Sequence, residues 1–297
     1  MIMQFLYSSM ILVRSRLRLL ILYPLPLLIG MIVALRSLPN TILMIESIIS
    51  ISATSFAVYI YNDLQDIKED TENAKLGTKY HIDRPLLNGV VTRRHAKGFI
   101  LCTIMISLCS SVLVARDFFI LISVCLILGF TYSSSLFHLK SKFPFKQLTI
   151  ATGVALAILA GGSAVGVISK PLLYILTLFF VMYFCVNPIM DIRDLYGDFI
   201  VGRKTLPMIL NPKKTITIGI VSMMSLAIIS MISYDWVGFN FLFPILSGST
   251  LLVMTFSIFK VLQNYEQPNY IDRIFARKIF VVLCFLHASF VIGILPF

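Results

Sequence analysis

Asn62, Asp63, Asp66 and Asp70 fall within nine residues of one another, and Asp191, Asp194 and Asp198 within eight. These six aspartates come from a total of only 14 acidic residues, in a chain that is 58% hydrophobic and 13% charged. Carboxylates at the edge of long apolar runs are costly to place and mark function by default. On a continuing helix Asn62, Asp66 and Asp70 recur at i, i+4 and i+8, and Asp191, Asp194 and Asp198 at i, i+3 and i+7. Each set therefore occupies one helix face. Asp63 flanks the first set. Asn187 lies one turn before Asp191, and Pro188 is expected to loosen the helix between them. Two facing acidic stripes repel an anionic substrate unless divalent cations sit between them. Mg²⁺, a hard cation bound by a few carboxylates together with phosphate oxygens, fits that demand. The chemistry this points to is stabilisation of a diphosphate leaving group while its bond to carbon breaks. The expected metal-binding set is Asn62, Asp63, Asp66, Asp70, Asp191, Asp194 and Asp198, with Asp66, Asp191 and Asp194 also assigned catalytic roles.

Cations stand near both clusters. Arg84, Lys140, Arg203 and Lys204 follow the clusters or sit on a neighbouring helix end, where an anionic leaving group needs donors. Tyr59, Tyr61, Phe130, Tyr132, Tyr183 and Phe184 lie near the same ends. They could wall an allylic chain and shelter a carbocation by cation–π contact, Tyr132 foremost. Taken singly, topology explains each cation and interfacial preference explains each aromatic. Glu46 is ionisable and lies within a span, but a straight helix puts it roughly 24 Å from Asn62, away from the diphosphate.

The elements that must position these residues are membrane helices. Mean hydropathy is +0.91, and the charged fraction is about half the ~25% of soluble domains. Nine apolar runs, at 17–36, 41–61, 98–115, 117–137, 147–168, 171–190, 214–233, 238–262 and 276–296, approach the roughly 20 residues of a spanning helix. The alternation of a β-barrel is missing. The fold expected is an all-α polytopic bundle of about nine helices around a central cavity, in a single membrane domain over 1–297. Residues 1–16 read as an interfacial lead-in, since Arg14, Arg16 and Arg18 follow the first apolar stretch where a signal peptide has them before it. Of the 25 Lys and Arg, all but Arg36, Arg116 and Lys170 fall on one side, including Lys68, Lys75 and Lys79. The N-terminus and both aspartate clusters are therefore expected to be cytoplasmic and the C-terminus opposite, in what we expect to be a bacterial cell membrane. The net charge of +11 is largely this asymmetry, and the partners expected are the bilayer and small molecules, not nucleic acid. Cys102, Cys109, Cys125, Cys185 and Cys284 all lie in apolar runs and read as packing residues. Gly161, Gly162 and Gly166 form a small-residue patch, the last two in GxxxG spacing, which suggests close helix packing. The long loops 62–97 and 191–213 each open on an aspartate cluster, as lids over a chamber would.

These motifs resemble those of the UbiA superfamily of intramembrane prenyltransferases. The family's NDxxDxxxD appears as Asn62, Asp63, Asp66 and Asp70, followed by Arg84-Pro85-Leu86 and Gly89. Its DxxDxxGD appears as Asp191, Asp194, Gly197 and Asp198, followed by Gly202 and Thr205-Leu206-Pro207. Between them Tyr132-Ser133 and Leu139-Lys140 match the homogentisate-type branch, while Ser135 and Leu136 replace its prolines and His138 its arginine. The stretch Thr71 to Asp83 is longer than the family's, so the lid is expected to be remodelled. The resemblance implies a helical bundle and Mg²⁺-dependent ionisation of an isoprenyl diphosphate, followed by capture of the cation by an acceptor. It also implies diphosphate binding by Asn62, Arg84, Lys140, Arg203 and Lys204, and catalytic roles for Lys140 and Tyr132.

The function expected is transfer of an isoprenyl group to an aromatic, quinone-precursor type of acceptor with release of diphosphate. Two alternatives remain open. The same ionisation could serve a non-aromatic acceptor such as a glycerol phosphate, or internal cyclisation to a terpene. An ion-coupled transporter would need polar residues deep in the bundle, and the spans are nearly free of them.

Overall fold

The computed structural model describes residues 2–67, 70–71, 84–200, 202–267 and 269–296. Lys68, Glu69, Lys75, Lys79 and the long lid stretch 72–83 lie outside the described residues.

The apolar runs fold as helices whose ends are set by local chemistry. The N-terminal α1 (Ile2–Ser15) leads into α2 (Leu19–Leu22) and α3 (Pro24–Leu35), with a bend of 63° between the first and the following pair. The Asn40 side chain accepts from the amides of Ile42 and Leu43 and starts α4 (Thr41–Gln65). Thr92 caps α5 (Arg93–Val114), which is followed by α6 (Arg116–Ser133) and α7 (Phe145–Ala164). Ser169 caps α8 (Lys170–Val186). Short helices α9 (Leu195–Ile200) and α10 (Leu206–Leu210) then lead to α11 (Pro212–Val237), which Asn211 caps and Gly238 ends at φ 94°. The chain finishes with α12 (Leu242–Asn264), α13 (Tyr270–Arg273), a π turn at Ile274–Ile279 and α14 (Phe280–Ile294).

The protein is an all-α integral membrane bundle. Large apolar side chains such as Ile127, Val112, Ile232 and Phe285 face outward, as a lipid solvent permits. Helices stand at all nine expected places, but among the described residues seven are long and apolar enough to cross a bilayer, or eight if the bent N-terminal pair is one span. The count falls short because the first run is helical only over Leu19–Leu35, beyond the bend, and the last keeps only 15 α-helical residues.

Small residues bring the helices close. α3 crosses α7 at Gly30 and Gly161, where an added Cβ would lie 2.2 Å from the Ile158 carbonyl oxygen and 2.1 Å from that of Leu27. The GxxxG expectation is corrected here: Gly166 is not a packing residue but ends α7 at φ 69°, with the Val167 amide returning to the Gly162 carbonyl at 3.0 Å. α4 and α5 are joined by hydroxyls, Ser50 Oγ donating to the Ser107 carbonyl at 2.9 Å and Thr54 meeting Ser107 Oγ at 2.6 Å.

Candidate active site at the aspartate-bearing end of the bundle

The first motif continues the helical hydrogen-bond pattern past the end of α4. The Asp66 amide donates to the Asn62 carbonyl at 2.9 Å, and that of Asp70 to the Asp66 carbonyl at 2.8 Å. The second motif does not follow a plain α-helix. Past Pro188 the chain tightens into a 3₁₀ segment, Asn187–Ile192, and resumes as α9, the loosening expected of a proline that lacks an amide hydrogen. Three residues per turn keep Asp191 and Asp194 stacked. Gly202, at φ 70°, turns the chain so that the Arg203 amide donates to the Asp198 carbonyl at 2.9 Å.

A third segment joins the two motifs. His138, in the left-handed conformation, reverses the chain after α6 and opens the 3₁₀ turn Leu139–Ser141. Lys140 then pairs with Asp66, while Lys146 and Gln147 at the start of α7 both reach Asp191, at 2.7 and 3.1 Å. Main-chain bonds from Phe143 to the Lys204 carbonyl and from Lys204 to the Ser141 carbonyl, both 2.9 Å, hold this segment against the loop after the second motif.

Every motif aspartate has a cationic partner. Arg16 grips Asp63 with two nitrogens, and Arg84 bridges Asp63 and Asp70. Arg193 takes Asp194 through two nitrogens and extends to Asp272 at 2.7 Å, and Arg203 meets Asp198 at 3.1 Å. Asn62 is fixed from both sides: Ser133 Oγ donates to its Oδ1 at 2.5 Å, and its Nδ2 donates to Asp66 Oδ2 at 3.0 Å. The opposed charges make this burial bearable, since an unpaired buried ion costs several kcal/mol. Burial pushes the Asp198 carboxyl up to about 6 against the pull of Lys146.

Below this polar rim lies an apolar chamber of about 360 Å³. Asn62 and Asn187 line its mouth together with Tyr59, Tyr132, Tyr183 and Tyr23, and its walls come from α4, α6 and α7. The Tyr23 and Tyr59 hydroxyls meet at 3.2 Å.

The structure therefore brings together all the expected aspartates with Asn62, Arg84, Lys140 and Arg203, above a chamber that Tyr132 lines. It sets Lys204 apart, because the contacts of that residue are main-chain and its side chain is exposed. Tyr61 packs on Phe130 and Phe184 on Phe180, and none of them lines the chamber. The His138 ring has no place among the ion pairs, and Glu46 lies toward the far end of α4. Sequence reasoning missed Arg16, Lys146, Gln147 and Tyr23 as site residues. Arg16 and Lys146 look like topology cations, but a glutamine opening an otherwise apolar span is itself a signal.

Magnesium can be tested against this donor set. Among the described residues no three Asp, Glu, His or Cys side chains close on one point as a cage. Mg²⁺ does not require one, because it is usually held by one or two carboxylates, waters and substrate phosphates. The donors on offer are hard carboxylate and amide oxygens, and Asp198 Oδ2 is a buried acceptor with no hydrogen-bond partner. The residues fit.

Fold and site define an all-α membrane bundle that carries two ion-paired carboxylate motifs, with an apolar chamber among its helices. More narrowly, residues 23–283 match the UbiA prenyltransferase family, and the chain belongs to it. It is thus a prenyltransferase by family. The chain is similar to the digeranylgeranylglyceryl phosphate synthase of Methanosphaera stadtmanae, 26% identical over 237 residues that cover 79% of this chain and 81% of that one. Among solved structures it resembles one from work on digeranylgeranylglyceryl phosphate synthase in membranes, with a TM-score of 0.73 and 16% identity over 98% of both chains. It also resembles a UbiA homologue from Archaeoglobus fulgidus bound to GPP and Mg²⁺, with a TM-score of 0.69 and 18% identity over 96% of this chain and 99% of that one. At these identities the structural likeness is one of fold.

Proposed function

We propose that this protein transfers an isoprenyl group from an isoprenyl diphosphate to an acceptor dissolved in the membrane, with release of diphosphate. The observation that carries the reading is that Asn62 of the first motif and Asn187, one turn before the second, both line one apolar chamber, while the segment Lys140–Gln147 pairs with Asp66 and Asp191 alike. The isoprenyl tail lies in the chamber and its diphosphate at the rim. Asn62, Asp63, Asp66, Asp70, Asp191, Asp194 and Asp198 would hold Mg²⁺ there, which would supply positive charge to the departing diphosphate. Arg84, Lys140 and Arg203 offer N–H donors to the same oxygens, in exchange for some of their present carboxylate contacts. The apolar walls keep water from the allylic carbon, and the faces of Tyr59, Tyr132 and Tyr183 present negative potential toward it.

For the acceptor, a glyceryl phosphate ether is the best supported. The match to digeranylgeranylglyceryl phosphate synthase favours it, and so do Ser135, Leu136 and His138, which depart from the homogentisate-type pattern. An aromatic acceptor is the second reading, favoured by Tyr132-Ser133 and by the tyrosines at the mouth. We further place one membrane domain over the whole chain, with its aspartate-bearing end and N-terminus in the cytoplasm and its C-terminus opposite, on the charge asymmetry of the loops.

The test is purified protein in lipid, with Mg²⁺, a series of isoprenyl diphosphates, and either geranylgeranylglyceryl phosphate or homogentisate. Diphosphate release that requires one acceptor supports transfer and identifies the acceptor class. Release with no acceptor and a cyclic product would replace transfer by cyclisation, and no release with any pair would refute the reading.

A further inference from the structure

We infer that Gly153 sets the length of isoprenyl chain that the chamber accepts, an inference that rests on reading the chamber as the donor's tail site. Gly153 stands inside α7, where glycine is the least favourable residue short of proline. Other glycines in the long helices have a steric reason. A Cβ on Gly161 would lie 2.1 Å from a backbone oxygen, on Gly129 2.4 Å from Val58, and on Gly162 2.3 Å from Leu172. A Cβ on Gly153 would meet nothing within 4 Å, and its φ is not among the positive ones. Neither helix packing nor backbone conformation accounts for a glycine here.

What lies before it is the chamber, which Gly153 lines. Its depth can be read along the helices. It is six residues below Gln147, about 9 Å at 1.5 Å per residue, and Gln147 touches Asp191 at the rim. The deepest lining residue of α4 is Ile51, 11 residues or about 16 Å from Asn62. A side chain at 153 would thus enter the chamber about halfway down. It would shorten the space for the tail while leaving every rim contact in place, so the missing side chain holds open the lower half of the chamber for a longer donor.

The experiment compares wild type, Gly153→Ala and Gly153→Phe in lipid nanodiscs with Mg²⁺. Dimethylallyl, geranyl, farnesyl and geranylgeranyl diphosphates are each scored by kcat/KM with the acceptor found above and by thermal stabilisation of the protein. Gly153→Phe is expected to lower the preference for geranylgeranyl over geranyl diphosphate by on the order of tenfold or more, since single methylenes in an apolar pocket already discriminate at that level. Its use of dimethylallyl diphosphate should stay near wild type. Gly153→Ala shifts the ratio less and in the same direction, and together with Gly153→Val it carries the test should the phenylalanine variant fail to fold. Unchanged donor ratios in a folded variant overturn the inference and leave the transfer reading standing. So does an equal loss with all four donors. A wild-type protein that uses and binds none of them overturns the transfer reading itself, and the inference falls with it.

Discussion

Replacing Gln147 by leucine should damage metal handling far more than it damages the fold. Gln147 is fully buried, and its Nε2 donates to Asp191 Oδ2 at 3.1 Å, beside the Lys146 contact to Oδ1 at 2.7 Å. The two together fix how the Asp191 carboxylate faces the rim. Leucine keeps the volume and removes the donor. A hydrogen bond to a charged group contributes about 1.5–3 kcal/mol, and a tenfold change costs about 1.4 kcal/mol, so the carboxylate's hold on a divalent ion should weaken about 10- to 100-fold. Losses of that size are common when the group orienting a metal-binding carboxylate is removed. The fold should suffer less, because Gln147 Oε1 is buried without a hydrogen-bond partner and leucine removes that liability too. The assay is the Mg²⁺ dependence of diphosphate release, paired with the thermal midpoint of the solubilised protein. A raised Mg²⁺ requirement at a nearly unchanged midpoint is the expected result. An unaltered Mg²⁺ dependence with turnover within twofold of wild type would refute the role of Gln147 and weaken that of Asp191.

Asp66→Ala or Asp191→Ala should each abolish turnover while membrane insertion stays intact, and full activity in either would refute a site shared between the motifs. Lys140→Ala should raise KM for the donor, whereas Lys170→Ala, at the far end of α8 against the Trp236 ring, should leave kinetics unchanged; equal effects would show the rim is misplaced. Gly161→Ala should destabilise the protein by about 1–3 kcal/mol, the usual cost of overpacking, because its Cβ would lie 2.1 Å from the Leu27 carbonyl oxygen. A thermal midpoint equal to wild type would show that α3 and α7 are free to move apart.

The aspartate motifs were legible in the sequence because carboxylates are scarce in an apolar chain and their spacing repeats. The break at Pro188 was legible for the same local reason, since a proline removes one helical hydrogen bond wherever it stands. What stayed hidden depends on distant parts of the chain. Arg16 is 47 residues from Asp63, and Lys146 is 45 from Asp191. Both belong to runs of cations that a membrane boundary attracts anyway, so composition cannot separate a site residue from a topology residue. Lys204 shows the reverse case: adjacent to Arg203, it has an exposed side chain while its main chain pairs with Ser141 and Phe143. The glycines likewise look alike in sequence: the neighbouring helix reveals that Gly161 serves contact, and the backbone conformation that Gly166 serves a turn.

The segment from Lys140 to Gln147 has a consequence for how the two motifs can vary. It touches Asp66 at one end and Asp191 at the other, and its middle is sewn to residue 204 by main-chain bonds that do not depend on side-chain identity. Its length is therefore a ruler between two half-sites. One residue inserted at 141–144 would change the spacing between Lys140 and Lys146, so that Asp66 and Asp191 could not both keep their partners without breaking the main-chain bonds to residue 204, while every motif residue stayed in the chain. The two acidic repeats are in this sense a single functional unit with one calibrated spacer, and their defects should not add: once the spacer is broken, a further loss at Asp191 should cost almost nothing.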